Sequence, residues 1–348
     1  MTSASRPPSV KVANVGVPEF VPHPWARSGH LQTVAGRYLI SPRRPLISSR
    51  IEIEVDGDDR LLAFDSVPEN WRQGDPLALM VHGLGGSADS PYIVRIAARL
   101  WRKGVRVVRM NLRGAGLGFG LARGIYHAGR TEDLRAVARV VTAQSPGSPL
   151  ALIGFSLGAN LVLKLAAEAA RQPLESFDCV LAANPPIDLL ACCQAIQKPE
   201  NWLYDRNFVH LLRSDIARLH ARFPDLGPVR LPASLNLYQF DDLYTAPRNG
   251  FNGAADYYRK SSSANRIPEI ESPGLVVHSV DDPFIPVEPF IKVSFPPRLA
   301  LELIPGGGHL GYISHQRWLG DRRWLDSRFI TWLSHRWSLN SASLRRVS

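Results

Sequence analysis

The chain has 348 residues, 45% hydrophobic and 21% charged, which is ordinary for a soluble globular protein able to bury a sizeable core. Its net charge of +10 raises nucleic acid or anionic lipid as a partner, but no basic run interleaved with aromatics occurs, so no nucleic-acid partner is expected. Cys179, Cys192 and Cys193 show neither metal-ligand spacing nor a disulfide framework and read as packing residues; no metal and no cofactor are expected.

The stretch MTSASRPPSVKVANVG lacks the apolar core of a secretory signal, and no run approaches the ~18 apolar residues of a membrane span, so the expected location is cytoplasmic. Residues 1–45 are rich in Pro, Arg and Ser and read as an arm laid over the domain, anchored by Pro22-His23-Pro24-Trp25. Ile51 to Val55 alternates apolar and acidic residues, Asp56-Gly57-Asp58-Asp59 turns the chain, and Leu61 to Phe64 completes a β-hairpin signature. Leu77 to Val81 and Val105 to Met110 read as buried strands. Between them Ile93, Ala97, Leu100 and Trp101 mark a helix, giving a βαβ unit and hence a parallel sheet.

Arg113 to Gly120 resembles a dinucleotide-binding loop, but G-x-G-x-x-G would need glycine at Phe119, so nicotinamide and flavin are set aside. The next helix is expected to start with Thr131 as its N-cap, with Glu132 and Asp133 in the first turn and Leu134, Val137, Ala138 and Val141 on one face.

Leu150 to Leu165 carries the strongest signal. An apolar run meets Gly154-Phe155-Ser156-Leu157-Gly158, after which Leu161, Val162 and Leu165 recur at helical spacing. Strand, sharp turn with serine at its apex, then helix is the nucleophile elbow of an α/β-hydrolase. The fold class expected is therefore α/β: a mostly parallel central sheet flanked by helices. After the strand Cys179–Ala183, residues 187–260 show no strand–helix alternation and hold ten of the chain's thirty aromatics; they are expected to form a helical cap inserted after strand 6. The core is then 46–186 and 261–340, with a basic tail at 341–348.

A serine nucleophile needs a histidine base and a carboxylate to orient it, and in this fold they follow in the order acid, then histidine, at the ends of later strands. Asp281-Asp282 follows the strand Leu275–Val280, and Gly306-Gly307-Gly308-His309 follows the strand Leu299–Ile304. Ser156, Asp282 and His309 are the candidate catalytic residues, with Asp281 the alternative acid. His315 is expected beyond the loop in a helical stretch, as a surface or structural residue. The oxyanion donors expected are the backbone N–H groups of Leu157 and of Leu84 in His82-Gly83-Leu84-Gly85-Gly86, with His82 bracing that loop. The cap aromatics Trp202, Tyr204, Phe208, Tyr238, Phe240 and Phe251 could enclose an acyl chain or simply pack the lid.

The chain resembles the YheT-like (abhydrolase-4) branch of the α/β-hydrolases. The resemblance is carried by Ser28-Gly29-His30-Leu31-Gln32-Thr33, His82-Gly83-Leu84-Gly85-Gly86-Ser87, Asn111-Leu112-Arg113-Gly114, the segment Tyr126 to Leu134, Gly154 to Asn160, Asp281-Asp282-Pro283 and Gly307-Gly308-His309. It spans roughly residues 20 to 335. A short acid-to-histidine spacing and an arginine-rich C-terminal end depart from the pattern. The resemblance implies a serine carboxylester hydrolase acting on small-molecule acyl esters, with Ser156 as nucleophile, Asp282 as acid and His309 as base. Acyl transfer to an alcohol and a catalytically silent binding protein are the alternatives. Weak contact with anionic membrane is expected through Arg322, Arg323, Arg328, Arg336, Arg345 and Arg346.

Overall fold

The structure is a computed structural model that describes residues 16–39 and 46–339. Residues 1–15 of the arm and the basic tail with Arg345 and Arg346 therefore lie outside the described residues. The arm contributes a helix, α1 (Gly29–Tyr38), which local periodicity does not announce.

Eight strands form one sheet: β1 (Ser49–Glu54), β2 (Arg60–Ser66), β3 (Leu77–Val81), β4 (Arg106–Met110), β5 (Leu150–Phe155), β6 (Phe177–Ala183), β7 (Gly274–Ser279) and β8 (Leu299–Ile304), in the order β1-β2-β4-β3-β5-β6-β7-β8. β2 runs antiparallel to both β1 and β4, and β4, β3, β5, β6, β7 and β8 are mutually parallel. The central strands are covered on both faces, which is why they read as unbroken apolar runs. Leu77, Leu79 and Val81 point into one core layer, Ala78 and Met80 into the other.

α2 (Pro91–Trp101) packs on one face. α3 (Thr131–Ala143) and α4 (Leu157–Glu168) pack on the other. Thr131 is the first helical residue rather than the N-cap: Arg130 holds that place without a side-chain cap, and Thr131 Oγ1 instead donates to Glu168 on α4, 2.8 Å away. β4 carries two buried arginines, and each has company. Arg106 pairs with Asp65 at 2.7 Å, while Arg109 lies over Phe64 and donates to the Ala88 carbonyl at 2.9 Å.

Between β6 and β7 the chain is helical: α5 (Leu189–Ile196), α6 (Trp202–Arg222), α7 (Leu237–Phe240), a π turn over Asp241–Thr245, α8 (Ala246–Arg248) and α9 (Ala254–Ser261). α10 (Glu288–Lys292) precedes β8, and α11 (Trp324–Arg336) returns to pack with α2. Between β8 and α11 lies a short hairpin of β9 (Ile313–Trp318) and β10 (Asp321–Arg323). His315 thus sits in a strand, not a helix; the consecutive His315, Gln316 and Arg317 are exposed and carry little strand signal.

Candidate active site

From β3 the chain turns to one side to form β4 and then crosses back to form β5, so the loops after β3 and β5 diverge and leave a crevice at the carboxyl ends of these neighbouring strands. Ser156 stands at that crevice, between β5 and α4. Its backbone is left-handed in φ (φ 53, ψ −125), a strained state for a non-glycine residue that projects its side chain out of the turn. Gly154 and Gly158 make the turn possible. A Cβ on Gly154 would lie 2.6 Å from Ala159 Cα, and one on Gly158 2.8 Å from the Val81 carbonyl carbon.

His309 Nε2 lies 2.9 Å from Ser156 Oγ, and His309 Nδ1 lies 2.8 Å from Asp282 Oδ2. The buried Asp282 also accepts from Asn184 Nδ2 on Oδ2, and from the amides of Phe284 and Ile285 on Oδ1 at 3.2 and 3.1 Å. Burial pushes this carboxyl up, but the charge and hydrogen bond of His309, helped by Asn184, hold it below its ordinary value. An ionised Asp282 only accepts, so the imidazole proton belongs on Nδ1 and Nε2 is left to accept from the serine hydroxyl.

Asp281 does something else. Its Oδ1 accepts from Ser279 Oγ at 2.5 Å and from the Gly308 amide at 2.8 Å, which ties the β7 end to the loop carrying His309. Thr33 on α1 accepts from the His309 amide at 2.8 Å, and Gln32 bonds the carbonyls of Ala26 and Ile313 and the Ile313 amide. The segment Ser28 to Thr33 therefore braces the histidine loop.

The loop after β3 has its amides almost fully committed. Gly83 N donates to Tyr92 Oη, Gly85 N to Tyr126 Oη, Gly86 N to the Gly83 carbonyl, Ser87 N to Ser90 Oγ and Ala88 N to Asn111 Oδ1. Among the described residues, Leu84 N and Leu157 N form no hydrogen bond. His82 is buried. It bonds the Gly83 carbonyl through Nδ1 and accepts from Leu112 N through Nε2, and burial lowers it to about 4 despite the Gly83 bond.

A cavity of about 100 Å³ opens beside Ser156, lined by Leu84, Ile125, Leu157, Leu189, Phe208, Leu212, Leu237, Phe284 and Ile285 with a few polar groups, among them His127 and Asp241. Of the six cap aromatics singled out, Phe208 lines it. Phe240 is fully buried, Trp202 is exposed, and Tyr204 packs on Phe284, whose ring lies 4.3 Å from that of His309. His127 is lowered to about 3 by burial and the charges of Arg130, Lys164 and Arg113, so it is a neutral wall. The three cysteines are free and buried. No group of three or more His, Cys, Asp or Glu suited to a metal occurs among the described residues.

Residues 76–316 match the family model for the alpha/beta hydrolase fold. The chain belongs to this family. It is 33% identical over 325 residues to YheT of Escherichia coli strain K12, a protein named as an esterase, covering 91% of this chain and 93% of that one; this places it in the YheT-like branch. It is 30% identical over 279 residues to the Saccharomyces cerevisiae medium-chain fatty acid ethyl ester synthase/esterase 2, covering 72% of this chain but 61% of that longer relative. The Pyrococcus furiosus esterase Pf2001 superposes with a TM-score of 0.54 at 17% identity over 85% of this chain and 94% of that one, a likeness of fold. Family membership and the names of these relatives support a hydrolase that acts on small-molecule esters. No helix among the described residues is long and apolar enough to cross a membrane.

Asn184 and Tyr312 escaped the sequence reading. Asn184, in left-handed backbone at the end of β6 (φ 44), bridges Asp282 and the Gly308 carbonyl, and Tyr312 Oη donates to its Oδ1 at 2.7 Å. Asn184-Pro185-Pro186 after a buried strand was the only trace of it in the sequence.

Proposed function

We propose that the protein is a serine carboxylester hydrolase working through Ser156, His309 and Asp282. The observation that carries this reading is His309, bonded through one nitrogen to Ser156 and through the other to Asp282, at the mouth of an apolar cavity. Ser156 Oγ attacks the ester carbonyl carbon while Nε2 of His309 takes its proton. The oxyanion settles on the amides of Leu84 and Leu157, each worth ~3 kcal/mol in comparable sites. When the tetrahedral adduct collapses, the C–O bond to the alcohol breaks and His309 returns the proton to the departing oxygen. Water, deprotonated by His309, then opens the acyl-serine. Asp282 stays ionised and balances the imidazolium at each step.

Residues 187–260 act as the lid on the core formed by 46–186 and 261–340, and the cavity beneath it holds the acyl chain. Hydrolysis of p-nitrophenyl esters of increasing chain length by the wild type and by Ser156→Ala tests the reading. Loss of the nucleophile should cost on the order of a millionfold in turnover. Equal activity of the two proteins would end the assignment, and so would a wild type that neither turns over any ester nor labels at Ser156 with a fluorophosphonate.

A second reading is acyl transfer to an alcohol, favoured by the lidded apolar site and by the relative named as both synthase and esterase. Ethyl ester as the main product at low ethanol would select transfer over hydrolysis.

A further inference from the structure

The helix α1 is inside out. Its inward face is Gly29, Gln32 and Gly36, where a Cβ on Gly36 would come within 2.7 Å of Gly311 Cα and Gln32 is bonded to Ile313. Its outward face is Leu31, Val34 and Tyr38, spaced i, i+3, i+7, and exposed by 51%, 48% and 75%. A helix that simply coats a soluble domain buries its apolar stripe. This one shows the stripe to solvent although its other face is tightly seated, so the exposure is not loose packing.

The neighbouring surface has the same character. Within the expected anchor Pro22-His23-Pro24-Trp25, Pro22 bridges Ser314 and His23 N donates to the Ile313 carbonyl, next to the buried Phe20, while Trp25 is half exposed. Across from α1, the first turn of α6 exposes Trp202 and Leu203. The two faces meet where His30 Nδ1 lies 3.1 Å from Tyr204 Oη with the rings stacked. Tyr204 packs on Phe284 and Phe284 on His309, so the patch borders the mouth of the candidate site.

Charge identifies the occupant. Arg27 and Arg37 flank the stripe and Arg206 lies one turn along α6; all three are exposed and none is paired with a carboxylate among the described residues. Glu200, just before α6, is exposed, and Asp205 in the first turn of α6 is half-buried and accepts from Leu237 N. Of the C-terminal arginines expected to meet lipid, Arg345 and Arg346 lie outside the described residues and the other four are engaged within the chain. Arg328 pairs with Glu302 and Arg336 with Asp178, while Arg322 and Arg323 donate to the carbonyls of His315 and Leu39. Apolar side chains with Trp and Tyr among them, ringed by free guanidinium groups, suit the boundary between anionic headgroups and acyl chains.

We propose that α1 and the start of α6 form a docking surface for an anionic lipid bilayer, which presents the mouth of the ester site to the membrane. Only the purpose of docking rests on the esterase reading; the docking itself is measured without turnover. The test is co-flotation of the full chain with vesicles of phosphatidylcholine, with and without phosphatidylglycerol, for the wild type, Leu31→Glu/Val34→Glu and Arg27→Glu/Arg206→Glu. Circular dichroism and the melting midpoint establish that the variants fold.

The wild type should float with the anionic vesicles. The apolar double variant should lose binding on the order of tenfold or more with its fold intact, and the charge variant should lose the preference for anionic over neutral vesicles. A wild type that stays in the soluble fraction, or folded double variants that float as it does, would overturn the proposal. So would a wild-type dimer that Leu31→Glu/Val34→Glu converts to monomer, since a second copy would then own the face.

Discussion

Asn184 Nδ2 donates to Oδ2 of Asp282 at 2.7 Å, the same oxygen that receives His309 Nδ1. The amide thus helps to set the carboxylate's rotation through the oxygen that also meets the imidazole. Its own rotation is set by Tyr312 Oη on Oδ1 and by the Gly308 carbonyl at 3.1 Å. On the proposed reading Asn184 is a positioning residue: it bonds Asp282 and does not line the cavity beside Ser156.

Replacing Asn184 by Ala should therefore lower kcat by about 10²-fold through misplacement of His309, with KM little changed. Tyr312→Phe should act in the same direction and more weakly, because it releases Asn184 without removing it. Steady-state kinetics on a soluble ester separates this from a structural role, which would lower the amount of folded enzyme and leave kcat per active site unchanged.

The arm is the second bracing element, and Gln32 is its bolt. Gln32 is fully buried and uses both ends of its amide, donating to Ala26 and Ile313 carbonyls and accepting from Ile313 N. Gln32→Ala would strand two buried backbone groups, the Ala26 carbonyl and the Ile313 amide, at about 1–3 kcal/mol for each left unsatisfied, while the Ile313 carbonyl keeps its bond from His23 N. The melting midpoint should fall, and activity should fall at temperatures below the midpoint, because α1 also holds the His309 loop through Thr33.

Asp241 gives a pH-dependent case. It lies in the π turn on the cavity wall and forms no ion pair among the described residues; burial lifts it to about 6, partly offset by Thr245 and Tyr258. In the unfolded chain such a carboxyl titrates near about 3.9. A raised folded pKa in an acid is a cost of ionisation: absent below about pH 4, growing between the two values, and complete above about pH 6, where it reaches about 3 kcal/mol. Asp241→Asn keeps the shape and cannot ionise. It should raise the melting midpoint at about pH 8 and leave it nearly unchanged at about pH 4; the reverse ordering would mean that the ionised carboxylate is stabilising.

The parts of this molecule that could be read from the sequence are those where one local pattern has one structural meaning. The central strands are buried on both faces, so Leu77 to Val81 and Leu150 to Ile153 appear as apolar runs, and Ser156, Asp282 and His309 stand just past the ends of such runs. The structure brings these three together and assigns Asp281 to the loop instead. α1 could not be read because its buried face is glycine and glutamine and its apolar face is outside, the reverse of the pattern that marks a helix. Asn184 could not be read because its partners come from β7, the His309 loop and the segment after it, and no short-range spacing encodes that meeting. The hairpin of β9 and β10 was missed because its exposed polar residues look like loop.

Three buried histidines set the acid limit of the fold. His82 and His278 are lowered to about 4 and His127 to about 3, each chiefly by burial. Unfolded histidines titrate near about 6.5. Below that pH the unfolded chain takes up protons that the folded chain refuses, so stability is fully present above about pH 6.5 and is lost as the pH falls toward about 4. The slope approaches about 4 kcal/mol per pH unit if all three act together, three times the ~1.4 kcal/mol of one proton. Asp241 works in the opposite sense over part of this window, but as one group against three. The melting midpoint of the wild type should therefore drop steeply between about pH 6.5 and 5. His278→Gln, in a side chain stacked on Phe290 away from the cavity, should make that drop shallower by about a third. A variant curve parallel to the wild type would show that His278 accepts its proton without unfolding.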